Sequence, residues 1–168
     1  VTDKGIVKAG LMKDLLSVMD NEKLKYVIYD RTVPNPTIDN VEEAVKIYYE
    51  NNCDSLIGFG GGTAMDCAKG VGARIARPKK TLQQMKGVLK VGRKIPPLIA
   101  IPTTSGTGSE ATLAAVVTDS KTHEKYAIND VNLIPLYAVH DPILTLGLPP
   151  HITSTTGMDA LTHALEAF

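Results

Sequence analysis

The stretch "SLIGFGGGTAMDCAKG" (residues 55–70) joins a nearly all-apolar run to three consecutive glycines and then to a segment with helical periodicity. A short apolar run of this kind is typical of a parallel strand buried on both faces. Glycine permits a tight turn after the strand, and Thr63 and Asp66 have the spacing of a capping box at a helix start. The stretch therefore predicts a strand at 55–60, a glycine turn and a helix at about 63–75.

The same alternation continues on both sides of this stretch. It predicts the end of a first strand at residues 1–2, a helix at about 7–19, a strand at 25–29, a helix at about 38–50 and a strand at 97–102. Strands that alternate with helices favour a Rossmann-like fold of the α/β class, with a doubly wound parallel sheet.

The remaining residues predict additions to that sheet. "LAAVVTD" (113–119) and "KYAIND" (125–130) flank a polar turn and are typical of an added β-hairpin. A last helix is expected to begin near Gly157 and to open an all-helical second domain. We therefore divide the chain into an α/β domain at 1–150 and the start of a helical domain at 151–168. The chain has the pattern of a strand end at its beginning and of a helix interior at its end, so we expect it to be part of a longer protein.

The composition bears on which partners the protein binds and on the cell compartment in which we expect it. Eighteen basic residues balance eighteen acidic ones, so no net field attracts nucleic acid or an anionic membrane surface. No apolar run approaches the length of a membrane span, and no signal peptide opens the chain. Cys53 and Cys67 do not form a CxxC pair, which favours two reduced thiols in a cytoplasmic protein.

Two loops follow the predicted buried strands, where ligands bind in open α/β sheets. The segment Gly60-Gly61-Gly62-Thr63 would offer free helix N–H groups to a pyrophosphate, although a third fingerprint glycine and a Walker lysine are absent. "IPTTSGTGSE" (101–110) crowds hydroxyl groups into a second glycine-bearing loop. The alternatives are a tight turn that needs glycine only for its geometry and a solvated loop with local Ser/Thr turns.

Four further residues are weaker candidates for a functional role, because each of their patterns also has a common structural explanation. Asp3, at the end of the first predicted strand, could bond the ribose of NAD, but an Asp at a strand end is more often a solvated turn residue. Asp159 and His163 share one helical face and could hold one metal ion, whereas most i, i+4 Asp/His pairs bind none. Cys67, on the helix after the glycine turn, is more typical of packing than of a nucleophile.

These pieces together resemble the iron-containing (group III) alcohol dehydrogenases, which share the dehydroquinate synthase-like fold. The matching stretches occur in the order of the family and are "VTDKG", "VPNPT", "GFGGGTAMDCAKG", "IPTTSGTGSEAT" and "GMDALTHALEAF". The glycine-rich stretch and the last stretch are specific to this family.

The resemblance implies an NAD-binding α/β domain. Asp3 matches a residue at the adenosine ribose; relatives that prefer NADP often have glycine there, so NAD is favoured. The other cofactor residues implied in the same way are Asn35, Gly61, Gly62, Thr63, Asp66, Thr103, Thr104, Thr107 and Lys125. The glycine loop would cradle the pyrophosphate, the threonines would line the phosphates and nicotinamide, and Lys125 would hold the adenosine side.

The resemblance also implies a metal. Asp159 and His163 match two of the family's metal ligands, and its other two ligands are histidines on later helices, outside this sequence. One carboxylate with imidazoles suits Fe²⁺, and Zn²⁺ accepts the same ligands. The implied reaction is hydride transfer between NAD(H) and a primary alcohol or aldehyde, with the metal as Lewis acid. Members of the family often form dimers or larger assemblies, so a homo-oligomer is one expectation.

Other functions stay open at this stage. The same fold serves glycerol, butanol and propanediol dehydrogenases and metal-free reductases such as maleylacetate reductase; Asp159 and His163 argue for a metal enzyme. The chain alone, with two of four metal ligands, would be an inactive nucleotide-binding fragment. A structural or partner-binding domain would leave both loops unexplained.

Overall fold

A computed structural model describes residues 1–168 and contains five α-helices and six β-strands. The helices are α1 (Lys4–Lys8), α2 (Lys13–Asn21), α3 (Ile38–Glu50), α4 (Gly62–Ala76) and α5 (Pro150–Glu166). The strands are β1 (Leu56–Gly60), β2 (Gly87–Val88), β3 (Leu98–Pro102), β4 (Ala114–Thr118), β5 (Lys125–Asn129) and β6 (Tyr137–Ala138). The strands predicted around 55–60 and 97–102 and the helices predicted around 38–50 and 63–75 are therefore present.

The central sheet is parallel and has the strand order β1-β3-β6. Its apolar side chains alternate between two clusters, as expected for strands that are covered on both faces. Leu56 and Leu98 point into a cluster with α3 and α4, whereas Phe59 and Ile101 pack with Met12, the N-cap of α2. This arrangement confirms the predicted α/β class with a Rossmann-like parallel sheet.

Residues 1–2 lie alongside β1, in the position predicted for the end of a first strand. The Val1 amino group donates to the Ile57 carbonyl at 2.8 Å, and the Phe59 amide donates to the Val1 carbonyl at 3.0 Å. The strand predicted at 25–29 is not formed. At the end of this segment the Thr2 amide donates to the Tyr29 carbonyl at 2.8 Å. The backbone of residues 25–28 has no strand partner.

The single helix predicted at about 7–19 is also wrong, because the chain forms two helices there. Gly10 has a φ of 70°, in the left-handed region, and this interrupts the helical path between α1 and α2. The apolar periodicity runs through the break, since Leu11, Met12 and Leu15 all contact the cluster around Phe59. The apolar periodicity of the sequence therefore predicted the buried face correctly but did not predict the turn at Gly10.

The predicted hairpin is confirmed, but it does not extend the parallel sheet. β4 and β5 pair antiparallel, with Ala114 opposite Asn129, and β2 adds to β5 to give a second sheet of order β2-β5-β4. Val117 and Ile128 of the hairpin are fully buried in the same cluster as Val71 of α4. Helix α4 therefore lies between the two sheets and joins them.

The last helix begins at Pro150 and not near Gly157 as predicted. Proline is favoured in the first turn of a helix, where its missing N–H leaves no bond unmade. None of the 17 residues of α5 is buried. The division into domains at residue 150 stays a prediction. None of the helices combines the length and the hydropathy that crossing a membrane requires.

The start of α3 ties this helix to the neighbouring extended chain through one side chain. Asn40 accepts from the Thr37 amide at 3.1 Å while its own amide donates to the Thr37 hydroxyl, which completes a capping box. Its side-chain nitrogen also donates to the Tyr29 hydroxyl at 3.1 Å and to the Arg31 carbonyl at 3.0 Å. Asn40 is buried, so these bonds have no solvent substitute.

We expect Asn40→Ala to lower the free energy of unfolding by about 2–3 kcal/mol, because it removes a cap and leaves buried polar groups without partners. Urea denaturation followed by far-UV circular dichroism measures this loss. Asn51→Ala is the matched control, since the exposed Asn51 side chain makes one bond, to the Ile47 carbonyl. Equal losses in the two variants would contradict the role assigned to Asn40.

Candidate functional site

The glycine turn after β1 is shaped by positions that exclude a side chain. Gly60 has a φ of 145°, and a Cβ there would lie 2.9 Å from the Ala64 Cβ. Gly61 is the N-cap of α4 and has no side chain to bond the first helical N–H groups. The predicted capping box of Thr63 and Asp66 is therefore wrong. The free N–H groups at this helix start are suited to an anion.

The threonine loop after β3 lies directly against the glycine turn. The Thr103 amide donates to the Gly60 carbonyl at 3.0 Å, and Thr103 is buried. A Cβ on Gly61 would lie 3.3 Å from the Thr104 Oγ1, and a Cβ on Gly62 would lie 3.0 Å from the Thr107 Cγ2. The two loops predicted from sequence thus form one surface at the carboxyl ends of β1 and β3.

One hydroxyl group on this surface has no partner within the protein. The Thr104 Oγ1 is buried and makes no hydrogen bond. A buried hydroxyl without a partner is unfavourable, and a phosphate oxygen above the adjacent helix start would accept its proton. The polar groups present therefore fit a pyrophosphate, although no residue of this surface carries a net positive charge.

A cavity of about 360 Å³ opens beside these loops. It is lined by Asn35, Pro36, Gly62, Thr63, Asp66, Thr107, Ser109, Thr112, Ala114, Val116, Lys125 and His163. Seven of these are residues that the resemblance implied, drawn from five separate parts of the chain. Of the other implied residues, Gly61, Thr103 and Thr104 contribute to the loop surface already described.

The adenosine-side residues implied by the resemblance are in contact. The Lys125 Nζ donates to the Asn35 Oδ1 at 2.8 Å. Asn35 has a φ of 55°, a left-handed conformation that asparagine tolerates better than most residues, and it follows Pro34 in a turn. The contact joins the turn before α3 to the second sheet, and both residues line the cavity.

Asp66 places a carboxylate within the cavity wall. Burial raises its pKa, while the Ser109 hydroxyl, which donates to Oδ1 at 2.8 Å, and the nearby ammonium groups of Lys69 and Lys125 hold the pKa down. Lys69 was not predicted as a functional residue. The available signal was a lysine one helical turn after Asp66, within an otherwise apolar helical stretch.

Asp3 caps α1 and does not line the cavity. Its Oδ1 accepts from the Ile6 amide at 3.0 Å. Its Oδ2 lies 3.7 Å from the position that a Cβ on Gly60 would take, so one carboxylate oxygen faces the glycine turn. Asp3 is therefore a helix cap whose second carboxylate oxygen faces the glycine turn, and its role at the ribose stays a prediction.

Asp159 and His163 lie side by side on α5. The His163 Nε2 is 3.6 Å from the Asp159 Oδ1, and both side chains are exposed to solvent. His163 lines the cavity and Asp159 does not. Helix α5 is in close contact with the threonine loop at this position: Gly106 lies against the Thr156 carbonyl oxygen, which leaves no room for a Cβ.

The donor set on α5 fits half of a metal site. A carboxylate oxygen and an imidazole nitrogen are both ligands of Fe²⁺ and Zn²⁺. No third His, Cys, Asp or Glu of this chain joins them to form a group that could hold an ion. A complete first coordination shell would need donors beyond these residues.

Residues 1–142 match the sequence profile of the family described as iron-containing alcohol dehydrogenase. The whole chain is 44% identical to alcohol dehydrogenase 4 of Schizosaccharomyces pombe and covers 40% of that protein. It is 37% identical over 170 aligned residues to the 1,3-propanediol dehydrogenase of Citrobacter freundii and covers 44% of it. The chain thus spans less than half of the length of these relatives.

Solved structures give the same result. A 1,3-propanediol oxidoreductase superimposes with a TM-score of 0.94 and 35% identity, over 98% of this chain and 43% of the other. A sulfoacetaldehyde reductase from Bifidobacterium kashiwanohense in complex with NAD⁺ superimposes with a TM-score of 0.87 and 34% identity, over 99% of this chain and 44% of the other.

We expect Cys67 to resist alkylation in the folded protein, because it is fully buried and burial raises the pKa of its thiol to about 11. Cys53 is half-buried and provides the internal control. Brief iodoacetamide treatment at pH 8, followed by peptide mass spectrometry, should label Cys53 well ahead of Cys67, and both cysteines should react in urea. Preferential labelling of Cys67 in the native protein would contradict this prediction and favour a nucleophile at this position.

Proposed function

This chain belongs to the iron-containing alcohol dehydrogenase family, and on that premise we propose that it is the cofactor-binding part of an NAD-dependent, metal-assisted alcohol dehydrogenase. The whole protein would transfer a hydride between NAD(H) and a primary alcohol or aldehyde. The observation that carries this proposal is the place of His163, which lines the same cavity as Gly62, Thr63 and Lys125. A ligand of a catalytic metal and the cofactor loop would thus face one space.

Different residues around the cavity would bind different parts of the cofactor. The start of α4, with Gly61, Gly62 and Thr63, would bind the pyrophosphate through backbone N–H groups, and the Thr104 hydroxyl would donate to a phosphate oxygen. Asn35 and Lys125 would hold the adenosine end. Asp66, Thr103 and Thr107 would shape the wall along the phosphates, and Asp3 would accept a bond from the adenosine ribose.

Asp159 and His163 would hold one divalent ion, Fe²⁺ or alternatively Zn²⁺, together with donors outside this chain. When bound, the nicotinamide would supply the hydride acceptor or donor, and the metal would supply a Lewis acid for the substrate oxygen. The chain itself would position the metal pair relative to the cofactor, because the contact of Gly106 with Thr156 holds α5 against the threonine loop. This contact would set the distance between the metal pair and the cofactor.

The proposed substrate is a primary alcohol or aldehyde, without a choice of one compound. Relatives of similar identity are called choline dehydrogenase, 1,3-propanediol dehydrogenase and lactaldehyde reductase, so the cofactor part does not discriminate among them. A metal-free reductase of the same fold is the alternative within the family, and the pairing of Asp159 with His163 disfavours it. A cytoplasmic location and a homo-oligomer remain parts of the proposal that rest on the resemblance.

Removing the charge of Asp3 should relax the preference for NAD over NADP. Asp3→Asn keeps an oxygen that can cap α1 but no longer repels a 2′-phosphate, so we expect the ratio of kcat/KM for NAD to that for NADP to fall by about tenfold or more. Steady-state kinetics of the whole protein with both cofactors measures this ratio. Asp14→Asn, in the first turn of α2, is the control with the same change in charge. An unchanged ratio in Asp3→Asn would remove the ribose role.

Loss of the imidazole at position 163 should remove metal and activity together. We expect His163→Ala to lower kcat/KM by at least about a hundredfold and to reduce the bound metal, since even partners of metal ligands are worth ten- to a hundredfold. Elemental analysis and kinetics of the whole protein measure both effects, and the exposed His151 on the same helix gives the control variant His151→Ala. Full activity in His163→Ala, or turnover by the isolated 168-residue chain, would contradict the metal assignment.

A further inference from the structure

Lys69 is a charged side chain that is completely buried in α4. Each of its three ammonium protons has an acceptor. The Lys69 Nζ donates to the Thr112 carbonyl at 2.8 Å, to the Thr112 hydroxyl at 3.0 Å and to the Ala114 carbonyl at 2.9 Å. A buried ammonium is strongly unfavourable unless its protons are bonded, so these three bonds fix residues 112–114 relative to α4.

The acceptors of Lys69 belong to the cavity wall. Thr112 and Ala114 line the cavity, together with Asp66, which lies one helical turn before Lys69 on α4. The ammonium therefore lies behind the wall and does not line the cavity itself. A residue in this position acts on a ligand through the wall and through its charge.

Two carboxylates lie near the Lys69 ammonium, and only one of them, that of Asp66, lines the cavity. The groups that face its ammonium are the carboxylates of Asp66 on α4 and Glu110 in the loop before β4, and Lys125 on β5 faces Asp66 from the second sheet. The Asp66 carboxylate lines the space that a pyrophosphate would occupy. Without the buried cation, its charge would repel that anion with only Lys125 to oppose it.

We propose that Lys69 is a positioning residue for the dinucleotide, because its ammonium holds residues 112–114 in place and offsets the charge of Asp66 so that the cavity accepts a pyrophosphate. This inference rests on the proposed function. The Lys69 side chain does not line the cavity, so it would act on the dinucleotide without touching it.

The state of the Lys69 ammonium changes within an accessible pH range. Burial lowers its pKa to about 8, although the Asp66 and Glu110 carboxylates raise it in part. The cationic form is therefore present below pH 8 and is lost as the pH rises through this value. Since the cation favours the bound anion, affinity for NADH should fall across the same range.

The test is a fluorescence titration of the whole protein with NADH between pH 6.5 and 9.5. In the wild type, we expect the Kd to rise by about tenfold from pH 7 to pH 9.5. Lys69→Met should bind about tenfold more weakly at pH 7 and show no such pH dependence. The kcat at saturating NADH should change less than the Kd. Lys13→Met, exposed on α2 at the other face of the sheet, is the control and should follow the wild type.

A double variant separates charge from wall structure. Adding Asp66→Asn to Lys69→Met removes the uncompensated carboxylate, so it should restore part of the lost NADH affinity if the role is electrostatic. No restoration would overturn the charge role. A wild-type Kd that is constant from pH 7 to pH 9.5 would overturn it without any variant, even if Lys69→Met failed to fold. Absence of NADH binding by the wild type at every pH would overturn the proposed function itself.

Discussion

The arrangement of this protein depends on one close approach, between the glycine turn after β1 and the threonine loop after β3. At Gly60, Gly61 and Gly62 a Cβ would lie 2.9 to 3.3 Å from atoms of Ala64, Thr104 and Thr107. Because these positions carry no side chain, the start of α4 meets the neighbouring loop directly, and the Thr103 amide bonds the Gly60 carbonyl. The cavity, its free N–H groups and the unpartnered Thr104 hydroxyl all follow from that contact.

Helix α4 connects this contact to the charges that surround it. Its N-terminus forms one end of the cavity, Asp66 lines the wall, and Lys69 is buried one turn further on. The same helix packs between the parallel sheet and the sheet of the hairpin, so a shift of α4 would move the start of the helix, Asp66 and Lys69 together. The packing of the core and the shape of the cavity are therefore coupled through this one element.

Helix α5 has a different physical character. Its residues are all at least partly exposed, and Met158, Leu161 and Leu165 present apolar surface to solvent. Its close contact with the rest of the chain is at Gly106, where the threonine loop meets the Thr156 carbonyl oxygen. The position of Asp159 and His163 therefore depends on the threonine loop, and through this contact His163 comes to line the same cavity as the start of α4.

The sequence by itself determined the α/β class, the buried strands β1 and β3, the glycine and threonine loops that follow them, and the common helical face of Asp159 and His163, since hydrophobic period and glycine placement are local signals. It did not show the break at Gly10, the missing strand at 25–28 or the second sheet, because these depend on backbone conformation and on which strand edges find partners. Only the tertiary structure decided that Lys125 contacts Asn35, that His163 reaches the cavity and that Lys69 is buried behind its wall. Such contacts join residues distant in sequence, and no local pattern records the distance between them.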